Sequence, residues 1–395
     1  MDYQALLADR TRLMQTNAIR EILKVVSKPG IISLAGGIPS PESFPMDMFN
    51  ELSERVMEKY GSSAFQYDLT EGFIPLREQV SVLLAGRGID ASPEDVNITS
   101  GSQGILDAAG KLLISKGDKI ALEAPTYLGA ISAFNPYEPQ YVSMETDDQG
   151  LIPESLELTL KEHRIKLIYL VPTFQNPTGR TLALDRRIKI ADLLKKYNAL
   201  LVEDDPYSAL RYEGEDIPAI KTMAPDHVIY VSTLSKVFSP GLRIGFYAAP
   251  EFLSKWLVLV KQGIDLHTST FNQALAAQYL EGGYLDIQLP KIIKLYKPRQ
   301  QAMLNALETR MPRGFTCSPS QGGMFLWVSG PVGFDAMTLY ERAVEKGVAF
   351  VPGRFFFTDP SQGHETMRLN YTMADESTIE DAVGKLGGAA REMIK

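Results

Sequence analysis

Short apolar runs alternate with longer helical patterns through most of the sequence. Each run is bounded by polar, proline or glycine residues, as expected for strands that are buried in a sheet. The runs predict strands over residues 120–122, 167–171, 199–202, 228–231 and 244–249, and helical patterns cover residues 104–115 and 184–197. Strands that alternate with helices in this way predict an α/β fold, in which helices flank both faces of a mostly parallel sheet.

The pattern changes after about residue 282. A long helical pattern over residues 292–309, interrupted early by Pro298, is followed by short strand patterns and by a helix that begins at Glu376. The strand patterns cover residues 324–328, 348–351 and 367–371. This order predicts a smaller α+β domain. We therefore expect an N-terminal segment over residues 1–44, a large domain over 45–282 and a small C-terminal domain over 283–395.

The N-terminal segment contains an amphipathic pattern. Ile19, Ile22, Leu23 and Val26 have the i, i+3, i+4, i+7 spacing of one face of a helix. An apolar helix face needs a surface that covers it. We expect this face to pack on one of the domains or on a partner subunit.

The composition argues against several classes of protein. The sequence contains 40 Lys and Arg against 48 Asp and Glu, a net charge of −8, whereas nucleic-acid binding depends on clustered basic residues. No apolar stretch reaches the roughly 20 residues that a membrane helix needs. The first residues, MDYQALLADRTRLM, carry early charges and lack the apolar core of a signal peptide. We therefore expect a cytoplasmic protein that binds neither nucleic acid nor membranes.

Cysteine and histidine give no sign of a disulfide or a metal site. Cys317 is the only cysteine, so no intrachain disulfide can form. The four histidines are scattered along the chain and lack the spacing of a metal-binding motif. We therefore expect no bound metal.

Polar motifs follow several of the predicted strands. The strand at 199–202 is followed by EDDPY, the strand at 228–231 by STLSK, which ends at Lys236, and the strand at 167–171 by a segment that contains QNPTG. TSGSQG leads directly into a helical pattern, and GLRIG carries Arg243. Because ligands of open α/β sheets bind beside the carboxyl ends of strands, we expect these motifs to meet in one site.

Together with APTY at residues 124–127, these motifs resemble those of the fold type I (class I/II) aminotransferases, which depend on pyridoxal 5′-phosphate (PLP). SLAGGIPSPESFP, QYDLTEG and NAIREILK resemble the branch that contains the 2-aminoadipate and kynurenine aminotransferases. The resemblance runs from about residue 15 to residue 372. It implies a large PLP-binding domain, a smaller domain and a homodimer. It also implies transfer of an amino group from an L-amino acid to a 2-oxo acid such as 2-oxoglutarate, by a ping-pong mechanism.

The resemblance implies roles for residues around the cofactor. Lys236 would form a Schiff base with the aldehyde of PLP and, once displaced, would act as the base that moves the α-proton of the substrate. Asp204 would keep the pyridine nitrogen protonated, and Tyr207 and Asn176 would bind the 3′-oxygen. From the local sequence alone, Asp204 could instead cap a helix, and Asn176 could be an ordinary turn residue.

Further residues are implied in binding the phosphate and the ring. The phosphate would lie at a helix start and against a bidentate arginine. Its cradle would consist of Gly101, Ser102, Gln103, Thr233, Ser235 and Arg243. Tyr127 would stack on the ring, although it could also be a core aromatic residue. Tyr67 would reach the phosphate of the neighbouring subunit.

The resemblance also places residues against the substrate. Arg368, in MRLNY, would bind the α-carboxylate as a fork-to-fork pair, with Asn176 and Gly37 beside it. From the strand pattern alone, Arg368 could instead point outward. Arg20, in NAIREILK, matches an arginine that meets the side-chain carboxylate in relatives that use 2-aminoadipate, but it could equally be a solvated helical residue.

Other functions compete with this interpretation. SGSQG resembles the nucleophile elbow of serine hydrolases but lacks its first glycine, and Thr233-x-x-Lys236 has threonine where S-x-x-K has serine. No G-x-G-x-x-G follows an early strand, as a nicotinamide dehydrogenase requires. A PLP-dependent lyase or decarboxylase would have a similar cofactor site. A non-catalytic ligand sensor is expected to lack parts of the site and to follow a DNA-binding module, for which we expect no room here.

Overall fold

The structure is a computed structural model that describes residues 1–14, 22 and 29–394. Its strands, in chain order, are β1 Ile32–Ser33, β2 Val96–Thr99, β3 Lys119–Glu123, β4 Gln140–Met144, β5 Thr146–Asp147, β6 Gly150–Leu151, β7 Ile165–Leu170, β8 Leu201–Asp204, β9 Val228–Thr233, β10 Gly245–Ala248, β11 Thr316–Cys317, β12 Phe325–Ser329, β13 Val348–Ala349, β14 Val351–Pro352 and β15 Thr366–Asn370. Its longer helices are α1 Phe49–Tyr60, α2 Ile74–Ala85, α3 Ser102–Leu113, α4 Leu128–Phe134, α5 Pro153–Glu162, α6 Leu184–Tyr197, α7 Glu251–Gln262, α8 Thr270–Glu281, α9 Tyr284–Arg310, α10 Ala336–Glu345 and α11 Glu376–Met393. Among the described residues, no helix combines the length and the apolar character that crossing a membrane requires.

In the described part of the chain, seven strands form the central sheet, in the order β2-β10-β9-β8-β7-β3-β4. β10 runs antiparallel to β2 and β9, and the other neighbouring pairs are parallel. Every strand that the apolar runs predict before residue 282 lies in this sheet, and the helix predicted at 184–197 is α6. The predicted α/β fold with a mostly parallel sheet is confirmed.

The central sheet is buried on both faces. On β7, Leu167 and Tyr169 belong to one apolar cluster, whereas Ile168 and Leu170 belong to another. Because successive side chains of a strand point to opposite faces, the two clusters lie on opposite sides of the sheet. Strands of a parallel sheet that is covered on both faces are apolar throughout. This burial explains why short apolar runs are enough to predict them.

The apolar pattern does not predict β2 and β4, and it places β8 two residues too early in the chain, at 199–202. β2 has the sequence VNIT, and β4 is an edge strand with several partly exposed residues, so neither forms an apolar run. β8 extends to Asp204 rather than ending at residue 202. Its acidic end is buried because side-chain hydrogen bonds stabilise it: Glu203 accepts from the backbone N–H groups of Ile220 and Lys221, both at 2.8 Å.

Four C-terminal strands form a second, antiparallel sheet in the described chain, in the order β11-β12-β15-β14. β12 and β15 correspond to the strands predicted at 324–328 and 367–371, and α11 begins at Glu376 as predicted. The single strand predicted at 348–351 is wrong. The chain changes its pairing partner at Phe350, so that β13 pairs in parallel with β1 and β14 pairs with β15.

The long helix α9 contains two prolines, Pro290 and Pro298. The sequence pattern predicts that Pro298 interrupts the helix over residues 292–309, but the helix is continuous from Tyr284 to Arg310. An internal proline removes one backbone hydrogen bond. Buried side chains such as Tyr296 anchor the helix on both sides of that position, and tertiary packing of this kind supplies most of the stability of a helix in a protein.

The N-terminal part of the described chain contacts the C-terminal part. β1 pairs with β13, and Ile22 lies in a small apolar cluster with Trp327. The other members of the predicted amphipathic face lie outside the described residues. The division into residues 1–44, 45–282 and 283–395 stays a prediction.

Helix α11 approaches the end of α9 at Gly387. A Cβ atom there would lie 2.2 Å from the carbonyl oxygen of Arg310, whereas a Cβ atom on Gly388 would meet nothing within 4 Å. We expect Gly387→Ala to lower the free energy of unfolding by about 2 kcal/mol, because the backbone must move apart. Gly388→Ala is the control, and alanine's helix propensity should raise that free energy by up to about 1 kcal/mol. Denaturant unfolding followed by circular dichroism measures both, and equal effects would contradict this packing.

Candidate active site

The carboxyl ends of the parallel strands meet at one edge of the central sheet. β3, β7, β8 and β9 run in one direction, and β2 shares it because β2 and β9 are both antiparallel to β10. A cavity of about 370 Å³ lies at this edge. The predicted site residues that line it are Gly37, Ser102, Gln103, Tyr127, Asn176, Asp204, Tyr207, Thr233, Ser235, Lys236, Arg243 and Arg368.

Two predicted site residues that the structure describes, Gly101 and Tyr67, do not line this cavity. Gly101 lies directly before α3 and contributes through its contact with Arg243, described below. Tyr67 is 77% exposed, and its ring contacts that of His267 with 5.6 Å between the centroids. Arg20 lies outside the described residues. Within one subunit, therefore, the structure brings together the predicted residues except Tyr67, and it does not describe Arg20.

The amine of Lys236 lies in the cavity directly beyond β9. It donates a hydrogen bond to the carbonyl oxygen of Gly37 at 3.2 Å. Burial lowers the pKa of Lys236 to about 8, and the positive charges of Arg243 and Arg368 act in the same direction. An amine with this pKa is largely unprotonated in mildly basic solution, so it can act as a nucleophile and as a base.

Asp204, at the end of β8, has one oxygen bound and one free. Its Oδ2 accepts a hydrogen bond from the hydroxyl of Tyr169 at 2.7 Å. Its Oδ1 is buried and has no partner among the described residues. Burial raises the pKa of Asp204 to about 7; the hydrogen bond from Tyr169 opposes this shift, and the charge of Asp205 adds to it. A buried carboxylate oxygen without a donor is suited to a ligand that supplies a proton or a positive charge.

The neighbouring Asp205 points away from this cavity. Its carboxylate accepts from the hydroxyl of Tyr230 at 2.7 Å and pairs with Arg87 at 3.2 Å. It lines a separate and larger cavity of about 920 Å³, which contains none of the predicted site residues. The larger cavity is therefore not the candidate site, and the geometry separates the two adjacent carboxylates.

Arg368, on β15, reaches the cavity from the second sheet. It is buried rather than pointing outward. Its Nη1 and Nη2 donate to Asn176 Oδ1 and to the carbonyl oxygen of Ala35, both at 2.8 Å. Its guanidinium lies 4.3 Å from the ring centroid of Phe325 and 5.0 Å from that of Phe356. The two rings and the two acceptors hold the arginine in one orientation, which a planar carboxylate can match.

Two aromatic side chains line the cavity beside Asn176. Asn176 Nδ2 donates to the hydroxyl of Tyr207 at 3.4 Å. Tyr127 precedes α4, and its ring lies so close to Gly129 that a Cβ atom there would be 2.3 Å from the ring. Gln103 Nε2 donates to the carbonyl oxygen of Gly129 at 2.7 Å. The glycine therefore leaves room for the ring and links it to the start of α3.

The start of α3 and Arg243 form a cradle for an anion. The first N–H groups of a helix have no partner within it and favour a negative charge. Gly101, with φ at 81°, precedes the helix, and a Cβ atom there would lie 2.1 Å from Arg243 Nη2. That Nη2 donates to the carbonyl oxygen of Ser100 at 3.2 Å. Only glycine fits at position 101, both for its backbone conformation and for the space that the arginine needs.

Two hydroxyl groups complete the cradle, because Thr233 Oγ1 and Ser235 Oγ lie 2.9 Å apart in the cavity wall. Among the described residues that line the cavity, the basic side chains are Lys236, Arg243 and Arg368, and the acidic one is Asp204. This excess of positive charge suits a ligand with more than one anionic group. In the described part of the chain no cluster of three or more acidic, histidine or cysteine residues could hold a metal ion.

The sequence matches the family of class I and II aminotransferases over residues 32–386. The chain belongs to this family. The family resemblance that the motifs predict is thereby confirmed, and so is aminotransferase activity. The match spans both sheets, so it includes the elements that carry Lys236, Asp204 and Arg368.

Three relatives show how close the similarity to this aminotransferase is. Aromatic-amino-acid aminotransferase 1 from Thermococcus litoralis is 44% identical over 403 residues, covering 100% of this chain and 96% of the relative. The crystal structure of Pyrococcus horikoshii kynurenine aminotransferase, in complex with PMP and with KYN and KYA, has a TM-score of 0.96 and 43% identity, covering 100% and 99% of the two chains. LysN, the α-aminoadipate aminotransferase from Thermus thermophilus, was crystallised with N-(5′-phosphopyridoxyl)-L-leucine; its structure has a TM-score of 0.92 and 36% identity, covering 100% and 99%.

Sequence reasoning misses several residues that shape the site of this aminotransferase. Tyr169 binds Asp204, Phe325 and Phe356 flank Arg368, and Gly129 makes room for Tyr127. Gly129 follows APTY by two positions and could have been found as a glycine beside a candidate ring. The other three are aromatic residues in apolar surroundings, and nothing in the local pattern separates them from core residues.

The lowered pKa of Lys236 predicts how the cofactor-free protein reacts with the aldehyde of PLP. The neutral amine is the reactive form, so the rate constant of covalent capture should rise about tenfold between pH 7 and pH 9, with a midpoint near 8 rather than above 10. Stopped-flow absorbance measures this rate, and Lys236→Ala is the control without capture. A rate that still rises steeply above pH 10 would contradict the lowered pKa.

Proposed function

We propose that this aminotransferase holds its cofactor, PLP, in the 370 Å³ cavity, covalently on Lys236. The observation that carries the proposal is Oδ1 of Asp204, which is buried and has no partner among the described residues, in the same cavity as the amine of Lys236. A protonated pyridine nitrogen would donate a hydrogen bond to this oxygen, which no described residue does. The aldehyde of the same ring is the group with which a neutral lysine reacts.

The rest of the cavity fits the other groups of PLP. The start of α3, Arg243 and the hydroxyls of Thr233 and Ser235 would bind the phosphate, and Gly101 leaves the space that this arrangement needs. Tyr207 and Asn176, already hydrogen-bonded to each other, would bind the 3′-oxygen. Tyr127 would lie against a face of the ring.

The bound cofactor supplies an electron-accepting ring that makes the α-proton of an amino acid removable. Asp204 would keep the ring nitrogen protonated through Oδ1. Lys236 Nζ, once free, would take the proton from the substrate's α-carbon, because its lowered pKa leaves the amine unprotonated in mildly basic solution. The lysine is therefore proposed both as the anchor and as the base.

Arg368 would bind the α-carboxylate of the substrate. Its Nε is buried without a partner among the described residues, and the two flanking rings fix the plane of the guanidinium. A carboxylate that approaches the guanidinium from the side of Nε would accept a hydrogen bond from this free N–H group. Gly37 and Asn176 lie next to it, and a Cβ atom on Gly37 would come within 3.9 Å of Arg368 Nη1.

We propose that the donor is an L-amino acid of the 2-aminoadipate, aromatic or branched-chain type, and that the acceptor is a 2-oxo acid such as 2-oxoglutarate. The names of the relatives, which cover aromatic, kynurenine and α-aminoadipate donors, support this range. The assignment of Arg20 to an acidic side chain stays a prediction of the sequence. A cytoplasmic location is also proposed; it is supported by the single cysteine, which is compatible with a reducing compartment.

The proposed reaction is tested with a panel of amino donors and 2-oxoglutarate. We expect the purified protein to be yellow and to form glutamate with at least one donor class, and we expect Lys236→Ala to lose the covalent link and at least about 10³-fold in rate. Absorbance of the cofactor and a glutamate assay measure both. A colourless protein that takes up no PLP would contradict the cofactor, and release of CO₂ without glutamate would indicate a decarboxylase.

We further propose a homodimer in which Tyr67 reaches the site of the partner. Two segments of the described chain form an exposed apolar patch: Phe65 stacks on Phe271 with 5.2 Å between ring centroids, and the Tyr67 ring contacts His267. Three further apolar residues close in sequence to these rings are also exposed, namely Leu69, Ile264 and Leu266. Exposed apolar residues grouped in this way are typical of a protein interface.

Mixed dimers of two inactive variants test this arrangement. If Tyr67 serves the partner's site, a dimer of one Tyr67→Ala subunit and one Lys236→Ala subunit contains one intact site. Random pairing should then restore about a quarter of the wild-type sites. Activity after joint refolding, compared with each variant refolded alone, measures this. Activity no higher than the mean of the two separate samples would place Tyr67 outside the partner's site.

A further inference from the structure

Strand β8 and the residue after it present two adjacent carboxylates to opposite sides. Asp204 faces the 370 Å³ cavity and Asp205 faces the larger one. Each accepts a hydrogen bond of 2.7 Å from a tyrosine hydroxyl, and the two tyrosines come from different neighbouring strands: Tyr169 from β7 and Tyr230 from β9. The two pairs share the hydroxyl-to-carboxylate bond and its distance. They differ in the cavity that the carboxylate faces and in Arg87, which pairs with Asp205 and donates to the Tyr230 hydroxyl at 2.8 Å.

The hydrogen bond from Tyr169 decides which oxygen of Asp204 is available. A carboxylate can rotate and offer either oxygen, but here Oδ2 is bound to the hydroxyl. Oδ1 is left buried and without a partner among the described residues. The carboxylate is thereby fixed with its free oxygen for the ligand of the cavity.

The same hydrogen bond opposes the effect of burial on the charge of Asp204. Burial raises the pKa of this carboxyl to about 7, and the charge of Asp205 adds to the shift, whereas the bond from Tyr169 acts in the opposite direction. Burial, and then the charge of Asp204, hold the pKa of the Tyr169 hydroxyl above its usual range. The tyrosine therefore stays protonated and donates.

Tyr169 is itself held by packing. Its side chain is fully buried, and its ring meets that of Phe134 edge to face, with 6.0 Å between the centroids. Removing only the hydroxyl, as in Tyr169→Phe, keeps this ring contact. A change that follows the substitution then reports on the hydrogen bond and not on the loss of a core residue.

We propose that Tyr169 is a positioning residue, which orients Asp204 and keeps its carboxylate ionised for the ring nitrogen of the cofactor. This inference rests on the proposed function of the cavity. Tyr169 acts only through Asp204 and does not itself line the cavity. Through this hydrogen bond, a residue of β7 would influence the protonation of the bound ring.

The test compares Tyr169→Phe with Tyr230→Phe, which removes the matched hydroxyl from Asp205. Both variants and the wild type are freed of cofactor and titrated with PLP that carries ¹⁵N in its ring. For Tyr169→Phe we expect the dissociation constant of PLP to rise about tenfold. We also expect the ¹⁵N signal at pH 8 to move toward that of unprotonated pyridine. For Tyr230→Phe, the dissociation constant should stay within about twofold of the wild-type value and the ¹⁵N signal should not move.

The outcomes separate the role of Tyr169 from the proposed function. A wild type that takes up no PLP would contradict the function of the cavity itself. Normal uptake by the wild type, with an unshifted ¹⁵N signal in Tyr169→Phe, would overturn only the role of Tyr169. Equal weakening of PLP binding in both variants would overturn it too, since a general loosening of the sheet would then explain the loss.

Discussion

The direction of the strands in the central sheet is the constraint on which the site depends. Strands that run the same way end at the same edge, and this brings together Asn176, Asp204 and Lys236 from three successive strands. The reversed strand β10 begins at that edge, so Arg243, just before it, reaches the same cavity. Arg368 extends into the cavity from β15 of the second sheet. The location of the candidate active site thus depends first on the sheet topology and then on the individual side chains.

Hydrogen-bond satisfaction distinguishes Asp204, the carboxylate proposed to act on the cofactor, from its two neighbours in sequence. Glu203 accepts from two backbone N–H groups, and Asp205 accepts from a tyrosine and an arginine. Asp204 lies between them on the chain and has an oxygen without a partner among the described residues. All three are buried. Among these three carboxylates, burial alone therefore does not single out Asp204, whereas burial together with an oxygen that has no partner among the described residues does.

Much of the fold and of the site follows from the sequence, and the failures have physical causes. The strands that are buried on both faces are predictable, whereas the edge strand β4 and the split at Phe350 depend on partners that the sequence does not reveal. Lys236 and Asp204 belong to motifs with characteristic spacing. Tyr169 does not, because a tyrosine in an apolar strand resembles a core residue until its neighbour across the sheet is known. Tyr67 is exposed in the single chain, and its role stays part of the proposed homodimer.

The two arginines near Lys236 have a consequence for the timing of its chemistry. In the cofactor-free cavity, their uncompensated charges help to keep the amine free of a proton. A phosphate at Arg243 and a carboxylate at Arg368 would each offset one of those charges, so the proton affinity of the amine would rise as the anions bind. The lysine proposed as anchor and base would thus be the readier nucleophile before the anions bind and the stronger base after they bind, while burial would still lower its pKa. Binding of the two anions would then set the order in which this one side chain performs its two proposed tasks.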